Sequence, residues 1–124
     1  MKRYKRGDVV LVNLERRAKG SVQFGIRPCV IISNYITNSE RSRILNVIPL
    51  SSKEKNIPVH VRIATDDING FLSEDSYCMV EQIRTIDKCQ VLGKMGHIKD
   101  ESGIMKQINK AMITQFEMIT NMEE

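Results

Sequence analysis

The apolar residues of this chain come in short, separated runs, and only the last run changes from strand-like to helical spacing. Few architectures accept that pattern. After Gly7, residues 9–12 are β-branched or leucine, which suits a strand ending near Leu14. Pro28 opens Cys29-Val30-Ile31-Ile32, a continuous apolar run of the kind buried on both faces. A third strand is expected over about 44–50, and residues 59–63 alternate with period two like a half-buried strand. Asn69-Gly70 reads as a turn, residues 76–86 as one further strand, and 95–98 as a short one. Residues 15–27, 34–43 and 51–56 are polar and read as loops.

The period then changes. Ile104, Ile108, Met112 and Phe116 recur every fourth residue, with Met105 and Ile119 close to the same face, as in an amphipathic helix packed on a sheet. Asp100 is placed to cap its start, and Glu101 suits its first turn. Many short strands and one late helix predict a small, strongly bent sheet or barrel, mainly β with a C-terminal α-helix. The 124 residues have the size of one domain, 1–124.

Several function classes drop out. Cys29, Cys78 and Cys89 are odd in number and far apart, which fits neither a disulfide framework nor a metal-ligand spacing. Cys29 and Cys78 sit in apolar runs and read as small core residues. His60 and His97 are isolated, and His60, on an alternating strand, reads as structural or exposed. No stretch approaches the roughly 20 apolar residues of a membrane helix. The basic start is followed by too short an apolar run for a secretion signal. The expectation is a cytoplasmic protein without metal or cofactor. Nineteen Lys and Arg against fifteen Asp and Glu give +4, which suits a nucleic-acid partner without requiring one.

Three segments carry chemistry. Gly20-Ser21-Val22-Gln23-Phe24-Gly25-Ile26-Arg27-Pro28 is a Gly-bearing loop leading to an arginine at the mouth of a buried strand. It reads as a surface loop or as a phosphate site, where backbone N–H groups and a guanidinium fork face an anion. Pro49-Leu50-Ser51-Ser52-Lys53 sets paired hydroxyls beside a lysine at a strand end, either a hydrophilic turn or a guide for an RNA backbone. In Glu81-Gln82-Ile83-Arg84-Thr85-Ile86-Asp87-Lys88, alternation places Gln82, Arg84 and Ile86 on one side and Glu81, Ile83 and Thr85 on the other.

Together with Arg6-Gly7-Asp8-Val9, these segments in this order make the chain resemble the MazF/PemK toxin family of type II toxin–antitoxin systems, over nearly its whole length. The Arg-Gly-Asp is then a strand start and not an adhesion motif. The resemblance implies an SH3-like barrel with a C-terminal helix that works as a homodimer. It also implies sequence-specific, metal-independent cleavage of single-stranded RNA, with a 2′,3′-cyclic phosphate and a 5′-hydroxyl as products. A cognate antitoxin protein would cover the RNA groove. Arg27 falls on the family's catalytic arginine, and Ser51 falls where members carry a catalytic Thr or Ser.

An arginine stays charged at any relevant pH, so Arg27 suits electrostatic stabilisation better than proton donation. The expected RNA contacts are Lys19, Gly20, Ser21, Gln23, Phe24, Ser52, Lys53, Ser76, Glu81 and Gln82, with Arg16, Arg17 and Lys55 adding positive charge. Phe24 is suited to stacking on a base or to closing the core. Family loops commonly carry Glu where this chain has Val22, so the general base is unassigned, and Glu81 is a chemical candidate for it. Two other readings stay open: a toxin of the same fold that inhibits a topoisomerase such as gyrase, and a non-catalytic RNA-binding relative. The pairing of Arg27 with Ser51 favours the nuclease.

Overall fold

A computed structural model describes residues 3–15 and 23–118 of the chain. Strand β1 (Asp8–Asn13) is the β-branched run, entered through Gly7 at φ +98°. Asp8 is buried and fixes this entry. Its carboxylate accepts from the Lys5 N–H at 2.8 Å and lies 2.8 Å from His97 Nδ1 and 3.1 Å from Lys94 Nζ. The Arg6-Gly7-Asp8 sequence is therefore a strand start.

On one side β1 pairs with β2 (Ile26–Ile31), and β2 pairs with β3 (Ile44–Ser51). The last two residues of β3 pair with β6 (Ser76–Met79), and β6 pairs with β4 (His60–Ile63). On its other side β1 pairs with β8 (Val91–Ile98), which carries β5 (Ile68–Gly70) at its far edge. Every pair is antiparallel, and the order is β4-β6-β3-β2-β1-β8-β5. The first half of β3 takes another partner, β7 (Arg84–Asp87). With different neighbours at its two ends, β3 carries a bend, and the sheet curls into a half-barrel.

Successive side chains of a strand point to opposite faces, so a curled sheet covered on both sides needs two cores. One holds Val9, Val30, Ile48, Leu50, Val61, Ile63 and Cys78 against Ile104, Ile108 and Ala111 of helix α2 (Ile104–Gln115). The intervening residues, Val10, Val12, Cys29, Ile31, Leu45 and Val47, build the other with Ile86 and Val91. This is why the runs at 9–12 and 29–32 are apolar without interruption. No helix among the described residues is long and apolar enough to cross a membrane.

Several expectations need correction. The segment 76–86 is not one strand. From Leu50↔Cys78 to Val47↔Arg84, three steps along β3 correspond to six along its partner. The surplus residues form a 3₁₀ turn, Val80–Gln82, that lifts Glu81 and Gln82 off the ladder. Asn69-Gly70 is not a turn but part of β5. A Cβ on Gly70 would stand 2.2 Å from Met95 O, so the glycine permits a close crossing with β8. Strand β8 accordingly starts at Val91, earlier than the 95–98 segment. The polar stretch after Ser33 contains a one-turn helix, α1 (Tyr35–Asn38), capped by Asn34, whose side chain accepts from the Thr37 N–H. Asp100 does not cap α2. It opens a separate 3₁₀ turn (Asp100–Ser102), and Gly103, at φ +77°, occupies the cap position. Phe116 lies past the helix end and is half exposed, while Ala111 takes the buried place. Ile119 lies outside the described residues.

Candidate nucleic-acid interface

The two residues expected to carry chemistry come from neighbouring strands. β2 and β3 pair up to Cys29↔Pro49. Two residues beyond that last pair stand Arg27 in β2 and Ser51 in β3. Alternation gives them the face that Cys29 and Pro49 share. Arg27 is half-buried and its Nε donates to Phe24 O at 3.1 Å, which fixes the guanidinium plane. Ser51 Oγ accepts the Lys53 N–H at 3.2 Å. A hydroxyl that accepts from its own turn keeps its proton to donate outward.

Arg84 adds a second guanidinium. It pairs with Val47 on β3, and its Nη2 donates to Gln23 O at 2.9 Å. The Gln23 N–H in turn donates to Gln82 Oε1 at 3.3 Å. The loop that ends in Arg27 is thus clasped to the 3₁₀ turn and to the start of β7. Both guanidiniums act on the Cys29 thiol beneath them. Burial pushes that thiol up to about 12, against the smaller opposing pull of Arg84 and then Arg27. The result is a cationic, hydroxyl-bearing end of the sheet over a neutral floor, suited to a phosphodiester. Phe24 stands beside it, 48 % exposed, so it is not a lid on the core. Ser52 and Lys53 are exposed on the following turn, as is Lys55.

Residues 5–116 match the PemK-like, MazF-like toxins of type II toxin–antitoxin systems. The chain belongs to this family. It is 37 % identical over 110 residues to the endoribonuclease MazF of Staphylococcus saprophyticus, covering 87 % of each chain. It is also 37 % identical over 109 residues to the endoribonuclease EndoA of Bacillus subtilis, covering 87 % of this chain and 90 % of that one. Among solved structures, an endoribonuclease in complex with its cognate antitoxin from mycobacterial species shares the fold at a TM-score of 0.73. The identity there is 20 %, over 94 % of this chain and 98 % of that one.

Within this toxin fold, not every expected RNA contact faces outward. Ser76 is buried, and its hydroxyl donates to Glu74 O at 3.0 Å, so it is a structural residue and not a base contact. Glu81 turns inward. Its Oε2 lies 2.7 Å from Nε2 of His60, whose side chain is 3 % exposed, and its Oε1 is buried without a partner. The Glu81 side chain is half-buried, 25 % exposed, and is committed to His60, which is structural, not exposed. Lys19, Gly20 and Ser21, with Arg16, Arg17 and Val22, lie outside the described residues. Among the described residues, no three His, Cys, Asp or Glu side chains converge to hold a metal ion.

Two residues escaped the sequence reading. Arg84 was on the right side of its alternation, but only the register against β3 brings it beside Cys29. Tyr77 pairs directly with Ser51 across β6, and nothing in the sequence links these distant positions.

Proposed function

We propose that this chain, an endoribonuclease toxin by family, cuts single-stranded RNA at short sequence motifs by transesterification, without a metal. The observation that carries the reading is that Arg27 and Ser51 stand on one face at the same end of the paired strands β2 and β3, with Arg84 on β7 beside them. The RNA supplies its own nucleophile. Its 2′-hydroxyl loses a proton and attacks the adjacent phosphorus; the P–O5′ bond breaks, and the leaving oxygen takes up a proton. The products are a 2′,3′-cyclic phosphate and a 5′-hydroxyl. Negative charge builds on the non-bridging oxygens during the attack, and donors fixed in advance stabilise it without reorganising. Arg27 supplies a guanidinium whose plane is already set, and Ser51 donates its hydroxyl proton to one oxygen. Arg84 and Gln82 hold the loop so that both donors meet the same phosphate. Gln23, Phe24, Gln82, Ser52 and Lys53 border the RNA's path, and family likeness adds Lys19, Gly20 and Ser21 as RNA contacts outside the described residues.

The same reading makes the chain a single domain that acts in the cytoplasm as a homodimer and is neutralised by a cognate antitoxin protein. The antitoxin-bound structural neighbour supports that partner. The test is incubation with a long single-stranded RNA in EDTA, followed by mapping of the cut ends. Cuts at a short recurring motif with cyclic-phosphate ends, lost in Arg27→Ala, are expected. A folded protein that leaves the RNA intact overturns the reading.

A further inference from the structure

The strand that pairs with Ser51 continues the site in a direction the sequence did not suggest. Across the sheet, Ser51 of β3 pairs with Tyr77 of β6, and Tyr77 pairs with Arg62 of β4. Adjacent strands lie about 4.8 Å apart, so the row from Ser51 to Arg62 spans roughly 10 Å. Its face is settled by alternation. Leu50, Cys78, Val61 and Ile63, the neighbours along each strand, are core residues packed toward α2. The row therefore looks the other way, where Tyr77 is half-buried and the Arg62 side chain is 57 % exposed. Arg62 is held in place: Nη2 donates to Asp75 Oδ2 at 2.6 Å, and Asp75 Oδ1 accepts the Thr65 N–H at 2.9 Å. One edge of its fork is thus pinned, and the Asp75 carboxylate offsets much of its charge.

We infer that Tyr77 is a stacking platform for a nucleobase next to the scissile phosphate, and that it helps set which RNA is cut. The inference rests on the nuclease reading above. A phosphate held between Arg27 and Ser51 leaves the next nucleotide to cross β6, where a ring fixed at its base by the sheet offers a flat apolar surface. Arg62 lies one strand beyond and bounds this subsite with a planar guanidinium. Its pairing with Asp75 makes it an anchor for the edge of the subsite and not a source of net positive charge. A tyrosine loses little side-chain freedom on ordering, which favours it as such a platform.

The test uses the full-length protein and an oligoribonucleotide containing one mapped cut site, with each nucleotide flanking the cut replaced in turn by an abasic unit. Tyr77→Leu is expected to raise KM about 5- to 150-fold with kcat little changed, the range for loss of one base–aromatic stack. Tyr77→Phe is expected to restore the wild-type KM, which separates stacking from any role of the hydroxyl. One abasic position is expected to weaken the wild type by a similar factor and to leave Tyr77→Leu no weaker than before. Circular dichroism and thermal melting establish that each variant is folded. An unchanged KM for folded Tyr77→Leu overturns the inference, as does a loss that adds in full to every abasic change. A wild-type protein that cuts no RNA overturns the nuclease reading and this inference with it. Cleavage that does not depend on Tyr77 overturns the inference alone.

Discussion

Arg27 and Ser51 are each held by a backbone contact that prepares the remaining donors. The Phe24 carbonyl takes Nε of Arg27, and the Lys53 N–H points at Ser51 Oγ. Such contacts distinguish a preorganised donor from a flexible surface side chain. Ser51→Ala is expected to lower the single-turnover cleavage rate about 100- to 1,000-fold, the usual effect of deleting one preorganised donor. KM should move little, because the hydroxyl acts on charge that develops after binding. Ser51→Thr keeps the hydroxyl on a strand position that favours β-branching, and it should retain most of the rate. A Ser51→Ala protein that cuts at the wild-type rate would show that Ser51 only shapes the turn.

Where β5 crosses β8, the elements meet with no room for a side chain. A Cβ on Gly96 would stand 2.4 Å from Asn69 O, whereas one on Gly93, in the same strand, meets nothing within 4 Å. Gly96→Ala is expected to cost about 1–3 kcal/mol as an overpacked contact. Gly93→Ala should be close to neutral, and urea unfolding of the pair reads the difference. Equal stabilities would mean that the crossing is looser than the geometry states. The same contrast shows what the sequence could reveal. β1 to β4 were legible because burial leaves either an unbroken apolar run, as at 9–12 and 29–32, or an alternation, as at 59–63, and both are visible in a single chain. The interruption at Val80–Gln82 was not, because it is set by the bend in β3, some thirty residues away in sequence. The site divides in the same way. Arg27 and Ser51 were reached through family likeness, whereas Tyr77 and Arg84 depend on cross-strand register. Ser76 illustrates the hazard of working without register: its neighbour Tyr77 faces the site, so period two sends Ser76 inside.

The whole molecule carries two buried thiols, one on each side of its curled sheet. Burial raises both, Cys29 to about 12 and Cys78 also upward, from an ordinary value of 9.0. For Cys78 the nearby Cys29 and Glu81 add to the shift. Once the chain unfolds, each thiol meets water and ionises near that ordinary value. Below pH 9 both states hold the protons, and the thiols add no pH dependence. Above it the unfolded chain releases protons that the folded chain keeps, so stability falls as pH rises. For Cys29 this continues to about pH 12, at roughly 1.4 kcal/mol per pH unit for each thiol. Lysines and tyrosines also titrate in this range, so the informative quantity is a difference between proteins. Urea midpoints under reducing conditions, taken from about pH 8 to about pH 10.5, should fall more steeply for the wild type than for Cys29→Ala. The variant will start lower, because it leaves a small cavity in a packed core, but its slope should be shallower by about that one-thiol amount. Parallel slopes would mean that Cys29 ionises as readily in the folded protein as in the unfolded chain. The neutral floor beneath Arg27 and Arg84 would then be a thiolate at high pH, pairing with the guanidiniums that the phosphate needs.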